Sequence, residues 1–323
     1  MKIPEGFKTI EEYKFPNIVN VCVLRGSCPC ECTHCPIGSI PKDKRVKKFG
    51  NNFMSLETFK NIADEISRFR HSSLRMHSVG EPLLWKYLEQ ALDYASKKRI
   101  KTWIFTSLVT HDKSLIESIA KNCSIVEISV NSIDRKDYKK TKGIENFDLV
   151  SKNIKYLSEF IKKNRLKTRL IASRVESLNK RYDKRFVKFW KNSNQVTDSF
   201  IRSYHSYNST IKDRTRKEIR KPVPCHVHWA RFNINSDGDV AVCFNELFKG
   251  TKPTKDLIFG NVNKKSIQEI WHCRKLQQIR KAQLTGDYSK IKFNLCCITC
   301  KYCQPLDTKR QTSEYQLKQL GDE

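Results

Sequence analysis

The sequence predicts an α/β protein, a partial barrel or open doubly wound sheet of about six parallel strands followed by a smaller α+β unit. Three observations carry that expectation. From residue 17 short apolar runs alternate with amphipathic runs at helical spacing; after Tyr204 the pattern breaks into a polar, basic stretch with two prolines; beyond it two apolar runs bracket a hairpin turn. A chain of 323 residues is long enough for one large domain and one small one.

The first strand is expected in NIVNVCVL (17–24) and the first helix in LETFKNIADEISRF (56–69). SLRMHSV (73–79) reads as a strand, with a helix beginning near Trp85. KTWIFTS (101–107), SIVEISV (124–130) and LKTRLIAS (166–173) are further strands, separated by helical periodicity at 113–121, 147–163 and 179–191, and TDSFIRSY (197–204) is a candidate sixth. Strands alternating with helices imply right-handed crossovers and a parallel sheet, and six units fall short of the eight of a closed barrel. Residues 205–224 read as a basic linker. ARFNI and VAVCF flank NSDGD, an Asp-Gly hairpin signal, and SIQEIWHCRKLQQIRKAQL (266–284) reads as one amphipathic helix. The expected division is therefore an N-terminal segment (1–16), a barrel (17–204), the linker, a small domain (225–305) and a frayed or loosely docked tail (306–323).

The net charge is +28, and residues 162–221 carry 19 Lys and Arg against 5 Asp and Glu. That makes nucleic acid an alternative partner, yet these charges are mixed with apolar positions as on any solvated face. No apolar run approaches the roughly 18 residues of a membrane span, and the N-terminus lacks the apolar core of a secretion signal. A cytoplasmic protein with no membrane partner is expected. In a reducing compartment its thirteen cysteines point to metal or catalytic use rather than disulfides. Cys123 and Cys273 stand alone in apolar-periodic segments and read as small buried hydrophobes.

The other cysteines crowd at two places. CPCECTHC (28–35) follows the first strand, at the carboxyl end where parallel α/β folds put their sites. Cys28, Cys32 and Cys35 have the spacing Cys-x3-Cys-x2-Cys. Three thiolates on one tight loop suit three irons of a 4Fe-4S cluster and leave the fourth iron open, while Cys30 falls between the ligands. The second group is LCCITCKYC, from Cys296 to Cys303, with Cys225 and Cys243 bracketing the hairpin. A zinc ribbon built from these residues with His226 or His228 is the alternative there.

The first motif resembles the defining motif of the radical S-adenosylmethionine (SAM) superfamily, with His34 in the place of the aromatic residue that precedes the last cysteine. SVGEPLLW (78–85) resembles the superfamily's Gly-Glu-Pro motif, with Val79 where a second glycine is usual. The resemblance implies a partial (β/α)6 barrel and a 4Fe-4S cluster on Cys28, Cys32 and Cys35. It implies SAM contacts from His34, from Gly80, Glu81 and Pro82, and from Ser107, Ser129, Asn131, Ser173 and Arg174 after successive strands, with Glu81 a structural hydrogen-bonding residue. The C-terminal segment resembles the superfamily's auxiliary-cluster domains, SPASM and its short form twitch. That implies one auxiliary 4Fe-4S cluster on Cys225, Cys243, Cys297 and Cys300, with Cys296 and Cys303 as rivals. It also implies reductive cleavage of SAM to a 5′-deoxyadenosyl radical, hydrogen abstraction from substrate, and a reducing partner such as a flavodoxin or ferredoxin. The implied auxiliary cluster suggests an oxidation, and the few residues before the first strand favour a small, sugar-like metabolite as its substrate; a peptide-modifying maturase and an RNA-modifying enzyme are the alternatives.

Overall fold

Each apolar run read as a strand enters the same sheet. The computed structural model describes residues 2–207, 210–214, 224–293, 295, 298, 300 and 313–320. Its strands are β1 (Ile18–Val21), β2 (Ser73–Met76), β3 (Lys101–Thr106), β4 (Ile125–Ile128), β5 (Arg169–Val175), β6 (Asp198–Arg202), β7 (Arg231–Ile234), β8 (Asp239–Ala241) and β9 (Ile258–Asn261). They lie in the order β6-β5-β4-β3-β2-β1-β7-β8-β9, parallel from β6 to β7 and antiparallel beyond. The helices are α1 (Ile10–Lys14), α2 (Lys42–Phe49), α3 (Leu56–Ser67), α4 (Leu88–Lys97), α5 (Lys113–Asn122), α6 (Arg135–Lys142), α7 (Phe147–Lys163), α8 (Lys180–Asn192), α9 (Val227–Ala230), α10 (Ile267–Trp271), α11 (Arg274–Thr285) and α12 (Ser313–Lys318).

Alternation along the strands sorts the side chains into two faces. Val19, Val21, Leu74, Met76, Ile104, Val126, Ile128 and Ala172 face the helices and pack with Ile62, Leu92, Ile119 and Leu157 in one continuous core. The opposite, inner face carries Asn20, Arg75, Trp103, Phe105, Glu127, Arg202 and Asn233. Helix ends follow local chemistry: Ser55, Asp112 and Asp134 accept the N-cap bonds of α3, α5 and α6, and Gly143 and Gly286 close α6 and α11 with φ near +70°.

Four features differ from the sequence expectation. The first strand stops at Val21, because beyond it the chain turns to bond with residues 52–54: Met54 N–H donates to Val23 O at 2.9 Å and Arg25 N–H to Asn52 O at 3.0 Å. The single helix expected over 266–284 is two, α10 and α11, with the buried Arg280 guanidinium donating to Trp271 O and His228 O, both at 2.9 Å, across the break. The small second unit is joined to the barrel: β7 pairs in parallel with β1, and Asn20 Nδ2 donates to Asn233 Oδ1 at 2.8 Å.

The fourth difference is at the C-terminus. Part of the stretch expected to be loose forms α12, whose Leu317, with Leu320 just beyond it, packs on Trp103, Ile125, Ile171 and Phe200 at the amino-terminal end of the inner face. Arg169 donates to Gln316 O at 2.9 Å and the Gln316 amide to Asp198 at 3.2 Å. Of the linker, residues 208, 209 and 215–223 lie outside the described residues, as do 306–312 and 321–323 of the tail. Among the described residues no helix is long and apolar enough to cross a membrane. Deleting residues 313–323 removes two apolar side chains from this floor, so urea unfolding should show a loss of about 2–4 kcal/mol and altered Trp103 fluorescence. Unchanged stability would mean that α12 does not stay docked.

Candidate functional site

The cysteine loop leaves the carboxyl end of β1 and is tied down on three sides. Towards β2, Gly26 N–H donates to Val79 O and Glu81 N–H to Ser27 O, both at 2.8 Å. The buried Cys22 takes the Val79 N–H on its sulfur at 3.2 Å, and burial pushes its thiol up to about 11, so it serves as a structural group. Towards α2, the Arg45 guanidinium donates to Cys28 O at 2.9 Å and Ile40 O at 3.0 Å, bridging both ends of the loop. Towards α6, Glu31 N–H donates to Lys142 O at 2.7 Å and Thr33 N–H to Thr141 O at 3.1 Å, one bond on either side of Cys32. Two glycines make the approach possible by lacking a Cβ: at Gly80 it would stand 2.4 Å from Ser27 O, and at Gly38 2.3 Å from Cys32 N.

Cys30 and Cys32 are buried and Cys28 and Cys35 half-buried. The Cys30 sulfur lies within hydrogen-bonding reach of Cys28, Cys32 and Ser107. Bonds from the Cys28 and Cys32 thiols make Cys30 the first of the three to ionise, and the same contacts with burial hold Cys28 and Cys32 well up. Burial also raises Cys35. The fourth cysteine, expected to stand aside, thus sits between two of the expected ligands. Burial, reinforced by Lys142 and Arg174, pushes His34 down to about 3, so its ring is neutral at pH 7.

A 4Fe-4S cluster asks for one thiolate per iron. The donor set fits: several thiols on one loop, held by backbone bonds, with the Lys142 ammonium close to Cys32, Cys30 and Cys28. Cys28, Cys32 and Cys35 would hold three irons, and SAM on the fourth would supply the radical. Among the described residues no three Cys, His, Asp or Glu side chains surround a single point as ligands of one metal ion would.

Along the rim beside the loop, Glu81 is buried and accepts from Thr106 Oγ1 at 2.7 Å and from Ser107 N–H and Oγ at 2.7 and 2.6 Å. Burial raises its carboxyl while these donors oppose the rise. It also accepts from Leu83 N–H at 3.3 Å, capping the short 3-10 turn that Pro82 opens. Ser107 is therefore engaged by Glu81 and Cys30. Asn131, at φ +59°, uses its side chain on Val175 N–H at 2.7 Å and Ser129 O at 3.1 Å. Arg174 pairs with Asp137 at 2.7 Å and Asp183 at 2.9 Å and also reaches Asn131 O. Ser129 and Ser173 lie at the same rim, on the inner face after β4 and within β5. The structure so brings the expected SAM residues to one edge, with Glu81, Ser107, Asn131 and Arg174 already bonded to one another's strands.

Below the rim the inner face is polar and aromatic. Glu127, 1% exposed, holds Arg202 through two bonds of 2.9 and 2.5 Å. The Arg75 and Arg202 guanidinium groups stand 4.3 and 5.2 Å from the centre of the Phe105 ring, and His77 stacks on the same ring at 5.3 Å. Burial, then Arg75 and Arg202, hold His77 well below its usual range.

In the C-terminal part, Cys225 is buried ahead of α9 and Cys243 caps the turn after β8. Cys243 packs with Val242, Leu257, Ile279, Leu295 and Ile298, and Cys300 is half-buried nearby in sequence. Cys296, Cys297 and Cys303 lie outside the described residues. His228 is engaged by Gln283, ring nitrogen to amide at 2.7 Å. The hairpin turn reaches back to the first loop: Asp237 pairs with Arg25 at 2.6 Å and accepts from Asn52 at 2.7 Å. Nothing in the sequence singles out Arg45 or Lys142 as site residues, and Asp237 is legible there only as part of the Asp-Gly hairpin turn.

A parallel α/β sheet with a buried thiol loop at its carboxyl rim, joined to a second cysteine-bearing hairpin, defines an iron-sulfur enzyme scaffold. The chain belongs to the radical SAM superfamily, whose family model matches residues 17–183, and the model of the iron-sulfur cluster-binding SPASM domain matches residues 225–304. As a member it is an enzyme of SAM and a 4Fe-4S cluster, with auxiliary iron-sulfur binding in the second domain. Among solved structures, SuiB from Streptococcus suis bound to precursor peptide SuiA is similar at 16% identity over 83% of this chain and 67% of its own, TM-score 0.65. BtrN in complex with AdoMet and 2-DOIA is similar at 17% over 94% and 97%, TM-score 0.53, and native anSMEcpe with bound AdoMet at 16% over 94% and 98%, TM-score 0.55. At these identities the likeness shows the fold. Comparison with the curated proteins finds no match.

Two outcomes follow from this geometry. Glu81→Ala strands the buried donors of Thr106 and Ser107 and should cost the metal-free protein about 2–3 kcal/mol in urea unfolding, with Glu81→Gln losing less; an alanine variant as stable as wild type would remove the structural role of Glu81. His77 stays neutral in the folded state but takes a proton near its ordinary value when unfolded, so acid favours unfolding. Stability should therefore fall as pH drops from about 7 to about 5, and His77→Phe should flatten that slope; an unaltered slope places the effect elsewhere.

Proposed function

We propose that the protein is a radical SAM oxidoreductase that dehydrogenates a small, polar, sugar-like metabolite. In this reading Cys28, Cys32 and Cys35 hold the catalytic cluster, and the auxiliary 4Fe-4S cluster takes Cys225, Cys243, Cys297 and Cys300, with Cys296 and Cys303 as rivals. The Gly80 to Pro82 backbone, His34, Ser129 and Ser173 line the SAM side, and a flavodoxin or ferredoxin supplies the electron.

The observation that carries the substrate class is the inner face beneath the rim. Arg75, His77, Glu127 and Arg202 make this face charged and polar, and beside them Asn20 Oδ1 and Asn233 Nδ2 have no partner among the described residues, which a wholly apolar substrate would leave so. Hydroxyl or anionic groups satisfy them, and α12 closes the floor against water. Loss of a hydrogen atom from a carbinol carbon leaves a ketyl-type radical. A proton and one electron must then depart to give the carbonyl, and an auxiliary cluster held by the second domain would supply an electron acceptor. BtrN, which spans nearly the same length, holds AdoMet and 2-DOIA, and supports this reading by analogy of architecture. A peptide substrate is the second reading, favoured by the likeness to SuiB with its precursor peptide.

The test is anaerobic reconstitution followed by SAM cleavage under dithionite. Wild type should bind about 8 irons per chain and the Cys28/Cys32/Cys35→Ala triple variant about 4, with cleavage lost. Across a panel of polyols, aminocyclitols, peptides and RNA, 5′-deoxyadenosine should rise with a polyol or aminocyclitol and be matched by a carbonyl product. Stimulation by peptide or RNA alone would replace the substrate assignment.

A further inference from the structure

The face that α6 turns towards the cysteine loop is unlike the rest of that helix. Its sequence, RKDYKKTK, carries five cations, and four of them lie on the surface: Arg135 and Lys139 pair with exposed acids, and Lys136 and Lys140 are exposed. Lys142 is 2% exposed, and Tyr138, one turn earlier on the same face, is fully buried. Among the described residues the Tyr138 hydroxyl has no hydrogen-bond partner and no carboxylate pairs with Lys142. The charged or ionisable groups that Lys142 feels most strongly are Cys32, Cys30, Tyr138 and Cys28. The loop cannot drift away from this face, because the backbone bonds to Thr141 O and Lys142 O bracket Cys32, and a Cβ at Gly143 would stand 2.6 Å from Glu31 Cβ.

A buried ammonium with no carboxylate beside it costs several kcal/mol, and a buried hydroxyl without an acceptor adds to it. Both costs vanish if the cysteine loop carries an anionic, sulfur-rich group. We propose that Lys142 and Tyr138 form the electrostatic second wall of the catalytic cluster: the ammonium is its counter-ion and the hydroxyl a hydrogen-bond donor to its sulfur, together raising its reduction potential. The inference rests on the radical SAM reading of Cys28, Cys32 and Cys35. Net charge and hydrogen bonds to sulfur are two of the levers that set the potential of such clusters. Lys142 and Tyr138 act through the cluster and are positioning residues.

The experiment is a redox titration followed by electron paramagnetic resonance on reconstituted full-length protein, reading the signal that disappears in the Cys28/Cys32/Cys35→Ala variant. Lys142→Met should shift that midpoint to more negative potential, Lys142→Arg should keep it close to wild type, and Tyr138→Phe should shift it less than Lys142→Met. A Lys142→Met midpoint equal to wild type overturns the proposal. Should Lys142→Met take up no cluster, thermal melting of the metal-free protein decides. Melting no lower than wild type, with Lys142→Arg still loading iron, supports a counter-ion role, and a lower melting point overturns it in favour of a packing role. If wild type itself binds no cluster at these cysteines, the radical SAM reading of the loop fails first and the counter-ion falls with it.

Discussion

The arrangement of the rim hangs on one buried carboxylate. Glu81 follows the second strand, donates its N–H to the cysteine loop at Ser27, and gathers the hydroxyls and backbone of Thr106 and Ser107 from the end of the third. Three strand ends that would otherwise diverge with the twist of the sheet are held at hydrogen-bonding distance. Ser107 carries the connection onward to Cys30. Both oxygens of the carboxylate are taken up by these bonds, which makes Glu81 a tie between strand ends in a site whose main chemistry needs no acid or base.

The second domain completes this site by extending the same sheet. β7 lies against β1 in parallel, so the hairpin grows from the strand that presents the cysteine loop. The Asp237–Arg25 pair and the Asn52 bond then fasten the hairpin turn to the start of that loop. The cysteine loop and the hairpin are thereby carried by one sheet. At the other end of the barrel α12 closes the inner face with two leucines.

Charge is distributed by the same logic. Part of the excess that suggests nucleic acid when the sequence is read by itself lies on the outer surface of α6, α7 and α8, where water screens it. The basic residues that do enter the interior are few and each has a particular place: Arg45 on the carbonyls of the loop, Lys142 beside its thiols, Arg174 between two aspartates, Arg202 on Glu127 and Arg280 on two carbonyls and the Trp271 ring.

Taken by itself, the sequence determined eight of the nine strands, a parallel sheet through the first six, the hairpin at NSDGD, and the cysteine motifs that carry the superfamily resemblance, because periodicity and spacing are local properties, while β9 (Ile258–Asn261) was not foreseen. It missed the split at His272, the docking of α12 and the pairing of β7 with β1, all of which depend on partners far along the chain. RKDYKKTK reads as a solvated helix; that its last lysine and its tyrosine turn inward onto residues 28–32, more than a hundred positions earlier, is a fact of packing. Cys30 shows the same limit: its spacing sets it apart from the motif, and only the folded loop brings its sulfur against Cys28 and Cys32. Local chemistry names the groups that can react, and tertiary structure decides which charges and donors stand beside them, since those contacts are made between segments with no spacing rule in common.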